Sequence, residues 1–180
     1  MTTLAYKNGD IAYDSYTTGN DDTILITNSD KKIIDADNKF VCVHSGHIES
    51  RDECLEIYRH HKDIWNRNFS FQRKVNSNKI INDKFYPCAF IVVNYGAVKN
   101  IPIISLLDFR IMNFDEEAVL FYTNMIIDYN QILSIGSGSQ FAYGAMDFGA
   151  TAKEAVAIAA IRDPHTGGDI NSFNLKHFNF

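Results

Sequence analysis

The chain has 180 residues, enough for one sizeable domain, taken here as residues 1–180 without an internal boundary. Apolar residues make up 46% and charged residues 22%, the balance of a globular chain with a real core. A formal net charge of −5 argues against nucleic acid or an anionic membrane as the main partner, and no apolar run reaches membrane-spanning length.

The predicted elements begin at the N-terminus, where no basic segment precedes an apolar one, so no signal peptide is expected. "TTLAYK" alternates, with Leu4 and Tyr6 on one face and Thr3, Ala5 and Lys7 on the other. Asn8-Gly9 is a hairpin signal, and "DIAYDS" should return antiparallel. "TILIT", "KKIID" and "KFVCVHSG" are further strands. Ser50 and Glu53 form a capping box for a helix running to about Asn68. "NFSFQRKVNSNKIINDKFYP" is compatible with helix, loop or both. "CAFIVVNYG", "IPIISLLDF" and "AVLFYT" are strands by composition. "QILSIGSG" is a strand followed by a tight turn. Ser137 and Gln140 form an S-x-x-Q cap for a helix through about Phe148, which Gly149 ends. Thr151 and Glu154 cap the next helix, where Ala152, Ala155, Val156, Ala159 and Ala160 keep the helical period. "RDPHTGGD" is a turn and "INSFNL" a last strand. This order predicts sheet layers covered by helices rather than a βαβ array.

Few of the local motifs point to chemistry by themselves. Cys42, Cys54 and Cys88 are odd in number and widely spaced, so they fit neither a disulfide framework nor a zinc site and suggest reduced thiols in a cytoplasm. The six histidines show no H-E-x-x-H pattern or clustered ligand spacing, and no metal is expected. "IGSGSQFAYG" lacks the third glycine of a dinucleotide fingerprint, where Phe141 stands, and the Gly-Lys-Ser/Thr of a P-loop. No cofactor is expected. Gly46 in "HSGHIES" ends a strand, where backbone N–H groups are free to bind a developing oxyanion. Thr2 follows the initiator methionine. A hydroxyl needs a base beside it to act as a nucleophile. A free α-amine, which titrates at about 7.7–8.0, can take its proton directly or through water. Removal of Met1 would make Thr2 such a terminus, with no long propeptide to cleave.

The ordered segments "TTLAYK", "IAYDSYTTG", "KKI", "SG", "GSGSQFAYGAMDFG" and "RDPHTGGDIN" together resemble the proteasome β-subunit family, including the bacterial HslV peptidase. The likeness runs from Thr2 to about Phe173. It implies an α+β fold, a four-layer αββα sandwich of two antiparallel sheets, that of the N-terminal-nucleophile hydrolases. It implies a threonine endopeptidase with Thr2 as nucleophile and its freed amine as base. By position, Asp14 resembles the family aspartate, and Lys32 the lysine that lowers the pKa of the threonine hydroxyl. Gly46 resembles the oxyanion-hole N–H, and Ser137, Asp163 and Thr166 the polar group that orients the amine and a water. Thr17, Asp30, His44 and Ile48 would line the substrate pocket, whose polar or acidic character favours polar or basic P1 residues.

The partners implied by the resemblance are further copies of the chain in stacked homo-oligomeric rings, an ATPase unfoldase, and unfolded protein or peptide substrates. The chain departs from the pattern in four places. The first hairpin is about two residues short, Tyr16 replaces a common arginine, Thr166 replaces the usual serine, and His44 and His47 flank the oxyanion segment. The altered pocket, and Met1 if it is retained, motivate one alternative, a non-catalytic ring or scaffold subunit of the same fold; another keeps the N-terminal-nucleophile chemistry with a small amide as substrate.

Overall fold

The computed structural model describes residues 2–18, 24–26, 33–37, 40–46, 68–75, 88–98, 101–114 and 117–177. The expected helix over residues 50–68 lies almost wholly outside them, as do Lys32, Asp30 and Ile48. The chain divides into two compact units, residues 1–45 with 128–180, and residues 46–127.

The first unit is built on a four-stranded antiparallel sheet. Strands β1 (Leu4–Lys7) and β2 (Asp10–Asp14) form its centre, with β11 (Leu133–Ile135) beside β1 and β12 (Ile170–Asn174) beside β2. The register Lys7↔Asp10 leaves Asn8 and Gly9 as a two-residue loop, with φ of 52° and 86°. Two positive φ values are what a type I′ turn requires and what Asn-Gly supplies at least strain. Two short hairpins follow, β3 (Tyr16–Thr18) with β4 (Ile24–Ile26), and β5 (Ile33–Asp37) with β6 (Phe40–Gly46).

Two helices cover one face of the central strands, α1 (Ser139–Asp147) and α2 (Ala152–Arg162). Cross-strand partners Ala5 and Ala12 present the smallest possible side chains to Ala142, Met146, Ala152, Ala155, Val156 and Ala159. Alanine at most of these positions lets the helices pack closely on the sheet. The opposite face carries the large residues Leu4, Tyr6, Ile11 and Tyr13, all buried. The α2 start is the expected capping box, with Thr151 Oγ1 accepting from Glu154 N at 3.2 Å and Thr151 N donating to Glu154 Oε2 at 2.8 Å. Helix α1 ends as expected, with Gly149 at φ 105° donating to Met146 O. Lys7 Nζ donates to Met146 O and Ala150 O, both at 2.8 Å, so a cation closes the carbonyl end of α1.

The start of α1 corrects the sequence-based expectation. Ser137 is not its cap. The N-cap is Gly138, with no side-chain cap, and Ala142 N donates to Gly138 O. Residues 136–139 form a turn closed by Ser139 N donating to Gly136 O. That turn delays the helix by one residue and frees the Ser137 hydroxyl for another use.

The second unit holds β8 (Cys88–Val98), β9 (Ile101–Phe114), β10 (Glu117–Ile127) and β7 (Phe69–Val75), hydrogen-bonded antiparallel in that order. Phe90–Val93 are all buried, which explains the uninterrupted apolar run. Phe109 stacks on Tyr122 at 4.6 Å and meets Phe90 edge-on at 5.8 Å. Residues 69–75, expected as helix or loop, are a strand paired with residues 118–124. The exposed Ser70 and Gln72 occupy one side of its period-2 alternation. None of the described helices is long and apolar enough to cross a membrane.

Candidate active site

The antiparallel order β11-β1-β2-β12 brings four chain segments to one end of the first sheet. They are the start of β1, the end of β2, the turn after β11 and the turn before β12, fixed by the pairs Leu4↔Ile135, Leu4↔Tyr13 and Ile170↔Asp14. Residues 2–3, 14–16, 136–138 and 163–169 therefore meet, although Thr3 and Thr166, which touch, are 163 positions apart in the chain.

Thr2 belongs to this group and is buried. Its Oγ1 donates to Tyr16 O at 3.2 Å, and its carbonyl accepts from Ser45 Oγ at 2.6 Å. Thr3 N donates to Asp14 Oδ1 at 2.9 Å, and Asp14 Oδ2 accepts from Gly167 N at 2.8 Å. Asp14 is fully buried and ties the first residues of the chain to the Thr166-Gly167 turn. The same turn is fastened a second time, by Ser15 N and Tyr16 N donating to Gly167 O, both at 3.2 Å.

A second cluster lies beside the first. Thr166 Oγ1 donates to Asp163 Oδ2 at 2.5 Å, and His165 N donates to Asp163 Oδ1 at 3.2 Å. Thr166 Oγ1 also lies 2.6 Å from Thr3 Oγ1, which accepts from Gly138 N at 2.9 Å. Burial pushes the Asp163 carboxyl pKa up, but the Ser137 and Thr166 hydroxyls and the His165 N–H, with the His165 ring, outweigh it and hold the carboxyl below its ordinary value. The Ser137 hydroxyl acts on that carboxylate as a directed dipole. It is buried and completes no hydrogen bond of good geometry among the described residues. A buried hydroxyl in that condition is one to which a water or a substrate group can bind.

Of the sequence-predicted site residues, Thr2, Asp14, Ser137, Asp163 and Thr166 converge in this way. Gly46 ends β6 with φ 125°, one residue past Ser45. His44 is buried in β6. Thr17 lies in β3. Lys32, Asp30 and Ile48 lie outside the described residues. Among the described residues, no three His, Cys, Asp or Glu side chains group as a metal site.

Four residues in the cluster were not singled out by the sequence. Thr3 and Ser45 contribute hydroxyls. Gly136 and Gly138 contribute space, since a Cβ on Gly138 would stand 2.7 Å from both Thr3 Oγ1 and Thr166 Oγ1. The G-S-G spacing after a strand was the only sequence signal for the glycines.

No protein-family model matches the chain, and no curated protein matches it by sequence. By structure it is similar to the eukaryotic HslV of Trypanosoma brucei, at 14% identity and a TM-score of 0.57 over 97% of this chain and 99% of that one. At that identity the likeness establishes the fold. The chain has an α+β fold like that of the HslV structure, with antiparallel sheets and helices α1 and α2 packed on one of them.

Proposed function

We propose that the chain is a threonine-type endopeptidase subunit of a self-compartmentalising ring protease, working in the cytoplasm after loss of Met1. The observation that carries this reading is the convergence of Thr2, Asp14, Ser137, Asp163 and Thr166 at one end of the sheet, in a chain with the HslV fold.

In this reading the freed Thr2 amine takes the proton of its own hydroxyl, directly or through a water. Lys32 favours the developing alkoxide by its charge. Oγ1 attacks the scissile carbonyl, the Gly46 N–H receives the oxyanion, and the amine returns its proton to the leaving peptide amine. A water held at Ser137 and Asp163 then hydrolyses the ester and regenerates Thr2. In this reading Thr17, Asp30, His44 and Ile48 are the residues that select a polar or basic P1 side chain. The partners are further copies of this chain in stacked rings, an ATPase that feeds unfolded chains, and the peptide substrates themselves. The exposed apolar side chains of Phe148 and Ile161, 94% and 80% accessible, fit a chain that buries surface on assembly.

Thr2→Ala in the assembled protein tests the reading. Peptide hydrolysis should vanish, and a peptide epoxyketone or boronate should modify Thr2 in the parent protein and nothing in the variant. Undiminished hydrolysis in Thr2→Ala removes the assignment. Intact mass separates the alternatives: a native protein that keeps Met1 throughout is a scaffold subunit. Cleavage of acylase substrates but not peptides identifies a small-amide hydrolase.

A further inference from the structure

We propose that Thr3, the residue after the nucleophile, is a positioning residue, and that its hydroxyl sets where the Thr2 amine stands relative to Asp163; this rests on the reading of Thr2 above. An ionised carboxylate only accepts, so the single hydroxyl hydrogen of Thr166 is committed to Asp163 Oδ2. In its 2.6 Å contact with Thr3, Thr166 Oγ1 can then only accept, and Thr3 must donate. The Thr3 oxygen in turn takes the Gly138 N–H at 2.9 Å. The result is a chain with one direction, Gly138 N–H to Thr3 to Thr166 to Asp163. Reversing it requires a proton on the carboxylate.

Residue 3 is consequently held from two sides. Its N–H is fixed to Asp14 and its side chain to the Thr166–Gly138 pair, with nothing of it exposed. Thr2 has its own contacts, through its carbonyl to Ser45 and its hydroxyl to Tyr16 O. Neither of these bonds involves the Thr2 nitrogen. Its distance from Asp163 is set through the peptide bond to Thr3, whose side chain is the direct link to the Thr166–Asp163 pair. Valine in place of Thr3 would keep the shape but leave the buried Gly138 N–H without an acceptor and Thr166 without a donor. Serine would keep the hydroxyl and both bonds. The space is tight enough to allow a second intervention, because a methyl on Gly138 would press on both hydroxyls and on Ala159 Cβ at 3.0 Å.

The test uses the full chain in its assembled form, checked by intact mass to begin at Thr2, with a fluorogenic peptide as substrate. Parent, Thr2→Ala, Thr3→Val, Thr3→Ser and Gly138→Ala are compared for kcat, KM and melting temperature. Expected is a fall in kcat between about tenfold and a hundredfold for Thr3→Val, with KM within about threefold, as small misplacements at a reacting centre produce. Thr3→Ser should recover kcat to within about threefold of the parent. Gly138→Ala should mimic Thr3→Val, and it decides the matter if Thr3→Val does not fold. Unchanged kcat in Thr3→Val, equal loss in valine and serine variants, or a loss confined to KM would each overturn the inference while leaving Thr2 as nucleophile. A parent protein with no Thr2-dependent cleavage would overturn the function itself, and this inference with it.

Discussion

Gly136 lies against Thr2 so closely that a Cβ on it would stand 1.7 Å from the Thr2 carbonyl oxygen. The same oxygen accepts the Ser45 hydroxyl, and Gly136 has φ 102°, a conformation that side chains rarely adopt. The nearest atoms to such a Cβ are backbone atoms of Thr2, which cannot swing aside as the tip of a side chain can.

Gly136→Ala should therefore do two separate kinds of damage. The positive φ costs about 1–2 kcal/mol in an L-residue, and the clash with Thr2 O adds to it. A melting temperature lowered by roughly 4–8 °C is expected, together with loss of Thr2 labelling by a peptide epoxyketone. A variant that melts and labels like the parent would show that the Gly136–Thr2 contact is not as tight as described.

Asp14→Asn examines the carboxylate that accepts from Thr3 N and Gly167 N. An amide keeps one acceptor oxygen and turns its NH₂ toward the other N–H, so one buried donor loses its partner. A destabilisation of about 1–3 kcal/mol is expected from denaturant unfolding, with peptide hydrolysis reduced further than stability alone explains. Isosteric replacement without effect on either measurement would mean that Asp14 does not hold the two segments.

Asp163 predicts a pH dependence. Its folded-state pKa lies below the ordinary carboxylate value, so the unfolded chain binds the proton more readily. The stability it contributes is present above the unfolded-state pKa, about 3.9, and is lost as pH falls through the lower folded-state value. Denaturation midpoints measured from about pH 7 down to about pH 3 should fall less steeply at the acid end in Asp163→Asn than in the parent. Parallel curves would contradict the assignment.

Thr151→Ala separates stability from function. Thr151 caps α2 through Glu154 N, and Glu154 returns the bond to Thr151 N. The Glu154 carboxyl is held below its ordinary pKa, first by the Thr151 N–H and then by the Thr151 hydroxyl. Loss of the cap should cost about 1 kcal/mol, with kcat and KM unchanged, because the residue lies outside the site. A change in kcat would connect α2 to the reaction.

The sequence by itself determined those features whose causes lie within a few residues. Asn8-Gly9 makes its turn because two adjacent residues tolerate positive φ. Thr151 and Glu154 cap because they are three apart, and Ala152, Ala155 and Ala159 of α2 pack on the sheet because of helical period. The order of Thr2, Asp14, Ser137, Asp163 and Thr166 was also legible, since a resemblance is a one-dimensional pattern. Tertiary structure decided what depends on partners distant in the chain. Ser137 has the spacing of a cap, but the 136–139 turn starts the helix later and leaves its hydroxyl facing Asp163. Residues 69–75 became a strand because β10 offered an edge to pair with. Thr3, Gly136 and Gly138 acquire a role only when the antiparallel sheet brings four segments to one end, and Ser45 only through its bond to the Thr2 carbonyl. Hydrogen bonds and steric exclusion act over a few ångströms of space, and a linear sequence does not state which of its distant residues will be that close.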